Sequence, residues 1–350
     1  MYFFGTLFDK NYLTRGLALY KSMQRNFSED FTLYVLALDN EVEAFFNDNY
    51  TNVKTIKIAQ IENKYPELQI AKGNRNLVEY YFTLSPFYPL YLLDTFKEID
   101  FVTTLDADIY FFSDIKPLFD KFQAYSILIT AHDFSDNLKG IEVYGLYNVS
   151  FQSFKRDTQG LKCLNDWKEN CLKWCYDYRE DGRFADQKYL DTWIYDYKNV
   201  LVIKGEGLGV APWNVSKYNL KKINNQIYCD GQKLVFYHFH GLRFITKRII
   251  VNRLNDYKVV SNRIIRNSIY KTYIVVLTKL QNKLPFRERN IQRINSLIYS
   301  NNILKNIPKG SYYNFHKIFL LELNFTLLIR IVGKLERILK RNRNKSSDLK

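Results

Sequence analysis

The chain is poor in the residues that would mark a disulfide scaffold, a secreted precursor or a membrane span. Its four cysteines in 350 residues, Cys163, Cys171, Cys175 and Cys229, are too few to staple a chain of this size and fit reduced thiols. Cys171 and Cys175 share a helical face, but Cys-x3-Cys without further ligands nearby is a poor zinc signature, and buried free thiols are expected. The start, "MYFFGTLFDKNYL", lacks a basic leader and a small-residue cleavage site, so it reads as the first β-strand of a chain that stays in the cytosol. There is no internal repeat and no low-complexity segment apart from the basic tail. The 47% hydrophobic content excludes a disordered chain, and 350 residues can bury one large domain of about 250 residues plus an appendage.

Acidic residues are scarce in the last third. Residues 243–350 hold 24 Lys and Arg against 5 Asp and Glu, net +19, whereas the residues before them hold 27 basic and 31 acidic side chains, net −4. That asymmetry points to an acidic partner for the tail, a membrane surface or nucleic acid. In "IFLLELNFTLLIRIVGKLERILKRNR" the residues Leu321, Phe325, Leu328, Val332, Leu335 and Leu339 recur at steps of four and three, while Arg330, Lys334, Arg337 and Arg341 follow the other face. The spacing predicts a basic amphipathic helix suited to an anionic membrane surface. Glu322 and Arg330 keep its apolar run below the roughly 18 residues a bilayer crossing needs. Packing on the rest of the chain or on itself is the alternative, and nucleic acid ranks last because the tail has no recognisable reading motif.

From Tyr2 to about Gly241, β-branched and aromatic runs alternate with helical stretches. Strands are predicted at "MYFFGTLF", 31–39, 53–58, 100–107, 125–133 and 198–204, and a helix at "NYLTRGLALYKSMQRN" with Leu13, Leu17, Tyr20 and Met23 on one side. Strands separated by helices predict an α/β fold with a mostly parallel, doubly wound sheet over 1–243. Residues 244–350, broken near Pro285 and Pro308, read as a basic α-helical extension. The aromatic stretch 76–96, with Pro86 and Pro89, reads as a core helix; nothing in the sequence fixes whether Arg75, just upstream, reaches a ligand. Doubly wound sheets bind ligands beyond the carboxyl ends of their strands, which is where Asp106 and Asp108 of "FVTTLDADIYFFSD" fall.

An Asp-x-Asp alone is a weak signal, since roughly one is expected by chance in a chain of this length. Its ordinary reading is a pair of solvated carboxylates; its functional one is a site for a hard divalent cation, which takes one or two carboxylates plus phosphate oxygens. In "KLVFYHFHGL" an apolar strand ends in His238-Phe239-His240-Gly241, holding half of the chain's four histidines. One imidazole can complete a Mn²⁺ site and the glycine lets the backbone approach a phosphate, against a plain strand-end histidine bonded to a carbonyl. Asp186-Gln187 in "RFADQKYLDTW" opens a helical stretch, where Asp is a favoured N-cap. Alternatively its carboxylate faces a positively charged sugar centre.

In this order the motifs resemble those of bacterial GT-A glycosyltransferases of family 8, the glycogenin and lipopolysaccharide galactosyltransferase group, over residues 2–243. "TLFDKNYLTRGLALYKSM" is similar to the family's first strand and helix, which implies nucleotide-sugar contacts for Thr6, Asp9, Asn11 and Tyr12. "TLDADIYF" implies that Asp106 and Asp108 bind metal. "YNVSFQSF" resembles the stretch lining the sugar pocket and retains Asn148, although Val149-Ser150 stand where the family often has Ser-Gly. "FADQKYL" implies catalytic positions for Asp186 and Gln187. "HFHG" implies His238 as third metal ligand, His240 as its neighbour and Gly241 at the phosphates. The family's lysine six residues after the metal histidine would fall on Phe244; Arg243, one position earlier, can hold a diphosphate instead. "GLGVAPWNV" (207–215) resembles the loop ending in Trp-Asn that closes over the site.

The resemblance implies an enzyme that uses Mn²⁺ or Mg²⁺ to move a sugar from a nucleotide-sugar, a UDP-sugar, to a saccharide or lipid-linked saccharide acceptor. It implies retention of anomeric configuration and a place in surface polysaccharide synthesis at the inner face of the cell membrane. Two other classes compete. A sugar-nucleotide nucleotidyltransferase uses a similar sheet and Mg²⁺, but its Gly-rich basic N-terminal loop is missing from "FFGTLFDKNYL". The last is a non-enzymatic scaffold whose tail binds a membrane or a partner.

Overall fold

A computed structural model describes residues 1–46, 50–244, 249–284, 312–315 and 318–322. The chain divides into two compact units, Met1–His238 and Phe239–Lys350.

The first unit follows the expected alternation. Its strands are β1 (Tyr2–Phe8), β2 (Phe31–Ala37), β3 (Val53–Lys57), β4 (Phe101–Leu105), β5 (Ile109–Phe111), β6 (Ile127–Ala131), β7 (Tyr147–Lys155) and β8 (Val200–Ile203). Its helices are α1 (Leu13–Asn26), α2 (Asn40–Phe46), α3 (Ile58–Lys64), α4 (Leu68–Asn74), α5 (Leu77–Thr95), α6 (Lys116–Phe122), α7 (Thr158–Lys173) and α8 (Trp193–Asp196). Seven strands form one sheet in the order β3-β2-β1-β4-β7-β6-β8. Within it β7 runs antiparallel to β4 and β6, and the other pairings are parallel. The sheet is the α/β, doubly wound, mostly parallel one that was expected. Chain order reverses between β1 and β4, and a crevice opens at such a switch point beyond the strand ends.

Both faces of the sheet are covered. On one, the core joins Tyr34, Leu36 and Val102 of the sheet to Leu84, Phe87 and Tyr91 of α5 and Leu164 and Trp167 of α7. On the other, Phe4 of β1 meets Phe27, just past α1, and Phe119 of α6. The predicted stripe Leu13, Leu17, Tyr20 and Met23 is at most 2% exposed. α5 starts on a capping box: Asn76 accepts from the N–H groups of Val78 and Glu79, and Glu79 accepts from that of Asn76. Pro86 and Pro89 lie inside it, and the helix continues through them because its side chains are packed on the sheet and α7.

Three further strands, β9 (Leu220–Ile223), β10 (Gln226–Cys229) and β11 (Gln232–Lys233), form a small antiparallel sheet. The next, β12 (Phe236–His238), pairs antiparallel with β5. All four cysteines are buried free thiols, as expected.

The second unit corrects the all-helical expectation. It has a helix, α9 (Lys271–Gln281), preceded by a π-helical turn at Ile265–Tyr270, but also strands β13 (Arg243–Phe244), β14 (Ile249–Asn252), β15 (Tyr312–Phe315) and β16 (Ile318–Glu322). β16 runs parallel to β14 and antiparallel to β15, so the predicted amphipathic helix does not begin at Ile318. The four-and-three count began at Leu321 and passed over a continuous apolar run, Ile318-Phe319-Leu320-Leu321, which suits a buried strand as well as a helix. Phe325 to Arg341 of that prediction lie outside the described residues. Among the described residues no helix is long and apolar enough to cross a membrane.

Candidate active site and metal centre

β4 stops at Leu105 and the chain turns at once. Asp106 donates its N–H to the carbonyl of Ser150 at 2.9 Å and accepts from the N–H of Ile109 at 3.2 Å, so the two carboxylates sit in a tight turn between β4 and β5. The β5–β12 ribbon then sets His238 directly opposite Ile109, one residue beyond Asp108. The N–H of His238 also bonds the carbonyl of Val210 at 2.8 Å. A residue 130 positions later is thereby held with its Nε2 at 3.1 Å from Asp108 Oδ1 and 3.5 Å from Asp106 Oδ2.

Burial works against a charged His238 ring, but the charge and hydrogen bond of Asp108, with Asp106 behind it, outweigh that effect and raise its pKa. Asp106 is pushed up to about 6, first by desolvation and then by Asp108, with His238 pulling the other way. Its side chain still keeps 44% of its surface open, against 12% for Asp108. Two carboxylates and one imidazole carry more negative than positive charge in a partly dry turn, a surplus that a dication would neutralise. Among the described residues these three side chains can each offer a ligand atom within 4.8 Å of the others. That span suits one ion, held by two carboxylate oxygens and one imidazole nitrogen. Of the two histidines, His238 is the one that lies within reach of both carboxylates. His240, in the second unit, lies 3.3 Å from Arg253 Nη1 and edge-on to Tyr257.

Asp186 is not a simple helix cap. It precedes a 3-10 turn, Gln187–Thr192, without a side-chain capping bond. Instead its Oδ2 accepts a hydrogen bond from Ser85 Oγ of α5 at 2.5 Å, and its carbonyl accepts from Trp167 Nε1 of α7. It is 2% exposed, and burial pushes its carboxyl up to about 7 against the opposing pull of the Ser85 bond. A buried carboxyl that titrates near neutrality is what acid–base or charge-stabilising chemistry requires. Gln187 donates to the carbonyl of Tyr144 and so ties the turn to a neighbouring loop.

The other expected residues divide by position. Asp9 accepts from the backbone and side-chain N–H groups of Asn11, forming a tight turn after β1. That turn leads to Tyr12, 42% exposed, with the Arg15 guanidinium 4.4 Å from its ring centroid. Thr6 is buried in β1. Asn148 is 4% exposed, accepts from Ser150 N and Oγ and donates to the carbonyl of Thr130, pinning the irregular β6–β7 register. Arg75 is engaged by Thr83 and the carbonyl of Leu172, linking α5 to α7. Gly241 and Arg243 belong to the second unit. Gly241 has φ +71°, and a Cβ there would collide with the side chain of Arg253.

Two residues stand close to these groups without having been singled out: Ser85, hidden in an aromatic helix, and His132. The Trp213 ring stands edge-on to both His238 and His132, at 5.3 and 5.2 Å. Asn214 locks its loop, bonding the carbonyls of Gly209 and His132 and the N–H of Ala211. The Trp-Asn pair of the loop was legible; its packing on the His238 ring was not.

No family model matches the chain. Among solved structures it is similar to the galactosyltransferase LgtC in complex with donor and acceptor sugar analogs, at 13% identity and a TM-score of 0.49, over 82% of this chain and 98% of that one. Two proteins of Bacillus subtilis (strain 168) are similar in sequence. The uncharacterized protein YfnD is 26% identical over 280 residues, 79% of this chain and 88% of YfnD. The uncharacterized protein YfnF is 30% identical over 250 residues, 69% of this chain and 82% of YfnF. With that identity over that share of both chains, the protein belongs to the same family as YfnF.

Proposed function

We propose that the chain is a metal-dependent glycosyltransferase that moves a sugar from a nucleotide-sugar, a UDP-sugar, to a hydroxyl of a saccharide or lipid-linked saccharide. The observation that carries this reading is the convergence of Asp106, Asp108 and His238 at the carboxyl end of β4, beside the switch point of the sheet. A Mn²⁺ or Mg²⁺ ion held by these three supplies positive charge against a departing diphosphate.

The chain's own side chains do the rest. Tyr12 offers an exposed ring to the base, and the Asp9-Asn11 turn fixes where that ring stands. Asp186, ionised over part of its population at neutral pH, stabilises a positively charged sugar centre, and Ser85 fixes the direction of its Oδ2. Gln187 and Asn148 shape the sugar pocket. The same proposal includes retention of configuration and a role in surface polysaccharide synthesis. A tail of net +19 supports an anionic membrane surface as the place of work, at about 1 kcal/mol per nearby Lys or Arg.

The test is a screen of UDP- and GDP-sugars with Mn²⁺, Mg²⁺ or EDTA, reading nucleoside diphosphate release from wild type and Asp108→Ala. Metal-stimulated release is expected with at least one donor, falling about 10³-fold or more in the variant. Full activity in Asp108→Ala sinks the metal assignment, and no release from any donor sinks the transferase reading.

A further inference from the structure

The sheet face under α5 is apolar except in one row. Across the three central strands Gly5 pairs with Thr104 and Thr104 with Gln152, whereas the row toward the strands' other end pairs Val102 with Phe154. Two of the three residues in this row are polar and the third has no side chain. Gly5 leaves room that a larger residue would fill, since a Cβ there would stand 2.9 Å from the Tyr88 ring. The result is a cavity of about 40 Å³ between the sheet and α5, enough for a hydroxymethyl group or about three waters. Gly5, Tyr88 and Gln152 are buried at its floor; Ser85, Thr104, Asp106 and Val149 are half-buried around its mouth.

Gln152 is 1% exposed, and its Nε2 has no hydrogen-bond partner among the described residues. A buried amide donor left unsatisfied is destabilising, and a hydrogen-bond acceptor from outside the chain would relieve it. The mouth is shared by Asp106, at the proposed diphosphate end, and Ser85, which holds Asp186. Resting on the glycosyltransferase reading, we propose that this cavity is a specificity subsite: it takes one hydroxyl-bearing substituent of the transferred sugar, and Gln152 donates a hydrogen bond to it. A site built to pair a substrate hydroxyl discriminates strongly against an analogue lacking it, because its own buried group is then left unpaired.

The test compares wild type, Gln152→Leu and Gln152→Glu on UDP-glucose, UDP-galactose, UDP-N-acetylglucosamine, UDP-glucuronate and UDP-xylose, reading kcat/KM for each and Tm for each protein. Wild type is expected to prefer one donor over the analogue that lacks or inverts a single substituent. Gln152→Leu should erase about tenfold or more of that preference, with the poorer donor turned over as before; Gln152→Glu, which exchanges a donor for an acceptor, should reorder the panel. An unchanged preference in both variants, at wild-type Tm, overturns the subsite while leaving the transferase standing. If Gln152→Leu does not fold, the ranking in Gln152→Glu decides alone. Failure of wild type to consume any donor overturns both readings together.

Discussion

Asp106 and Asp186 are both carboxyls held above the ordinary range, to about 6 and about 7, but in different surroundings. Asp106 shares its turn with a second carboxylate and a histidine, and nearly half of its side chain is open. Asp186 is sealed under α5 and α7, and its carboxylate accepts from the Ser85 hydroxyl. The first arrangement accumulates negative charge where a cation can enter; the second holds one carboxyl where its charge is costly. A site that gathers charge for a ligand and one that spends folding stability on a proton near neutrality call for different experiments.

The largest effect that separates them is expected from Asp186→Asn. The raised pKa means that stability from protonated Asp186 is fully present below pH ~4 and is lost as pH rises through about 7. The amide should therefore stabilise the fold at pH 8, by up to about 4 kcal/mol, and flatten the pH dependence between those values, while transferase activity falls about 10²-fold or more. Urea unfolding from pH 4 to 8 checks the first half and donor turnover the second; a variant that loses stability at pH 8 breaks the contrast. Ser85→Ala should act in the same direction as further burial. Without the hydroxyl the Asp186 carboxyl titrates higher, and the pH–rate profile should move to higher pH with kcat down about tenfold. An unmoved profile would reduce Ser85 to packing. The smallest effect concerns the tail: the full chain should float with anionic phospholipid vesicles at low salt and be released by about 0.5 M NaCl, where charge attraction is screened. Salt-independent flotation would shift the cause to apolar insertion.

Most of the sheet was legible because its strands are short β-branched or aromatic runs with clear breaks, and α1 because its apolar side chains recur at helical steps. β7 was read for its Asn148 and not as a strand, since "YNVSFQSF" mixes polar and aromatic residues in a strand buried on both faces. The cluster of Asp106, Asp108 and His238 was legible as residue types in order, but the 130-residue jump from Asp108 to His238 is made by the β5–β12 pairing, which no local pattern announces. Ser85 and Gln152 were hidden for the opposite reason. Each is a lone polar residue in an apolar segment, which a sequence presents as noise until the neighbouring element is known. At Ile318–Glu322 the helical reading fails because four consecutive apolar residues satisfy both a helix and a strand.

The β5–β12 ribbon has a consequence for how the protein is made. Its two strands are the last long-range pairing of the first unit, so a chain emerging from the ribosome can assemble β1 to β4 and present Asp106 and Asp108 well before His238 exists. At about 5–20 residues per second, the proposed metal site has only its two carboxylates for several seconds after they appear. On the proposed reading, the full three-ligand set forms only when β12 pairs with β5 and the unit is complete.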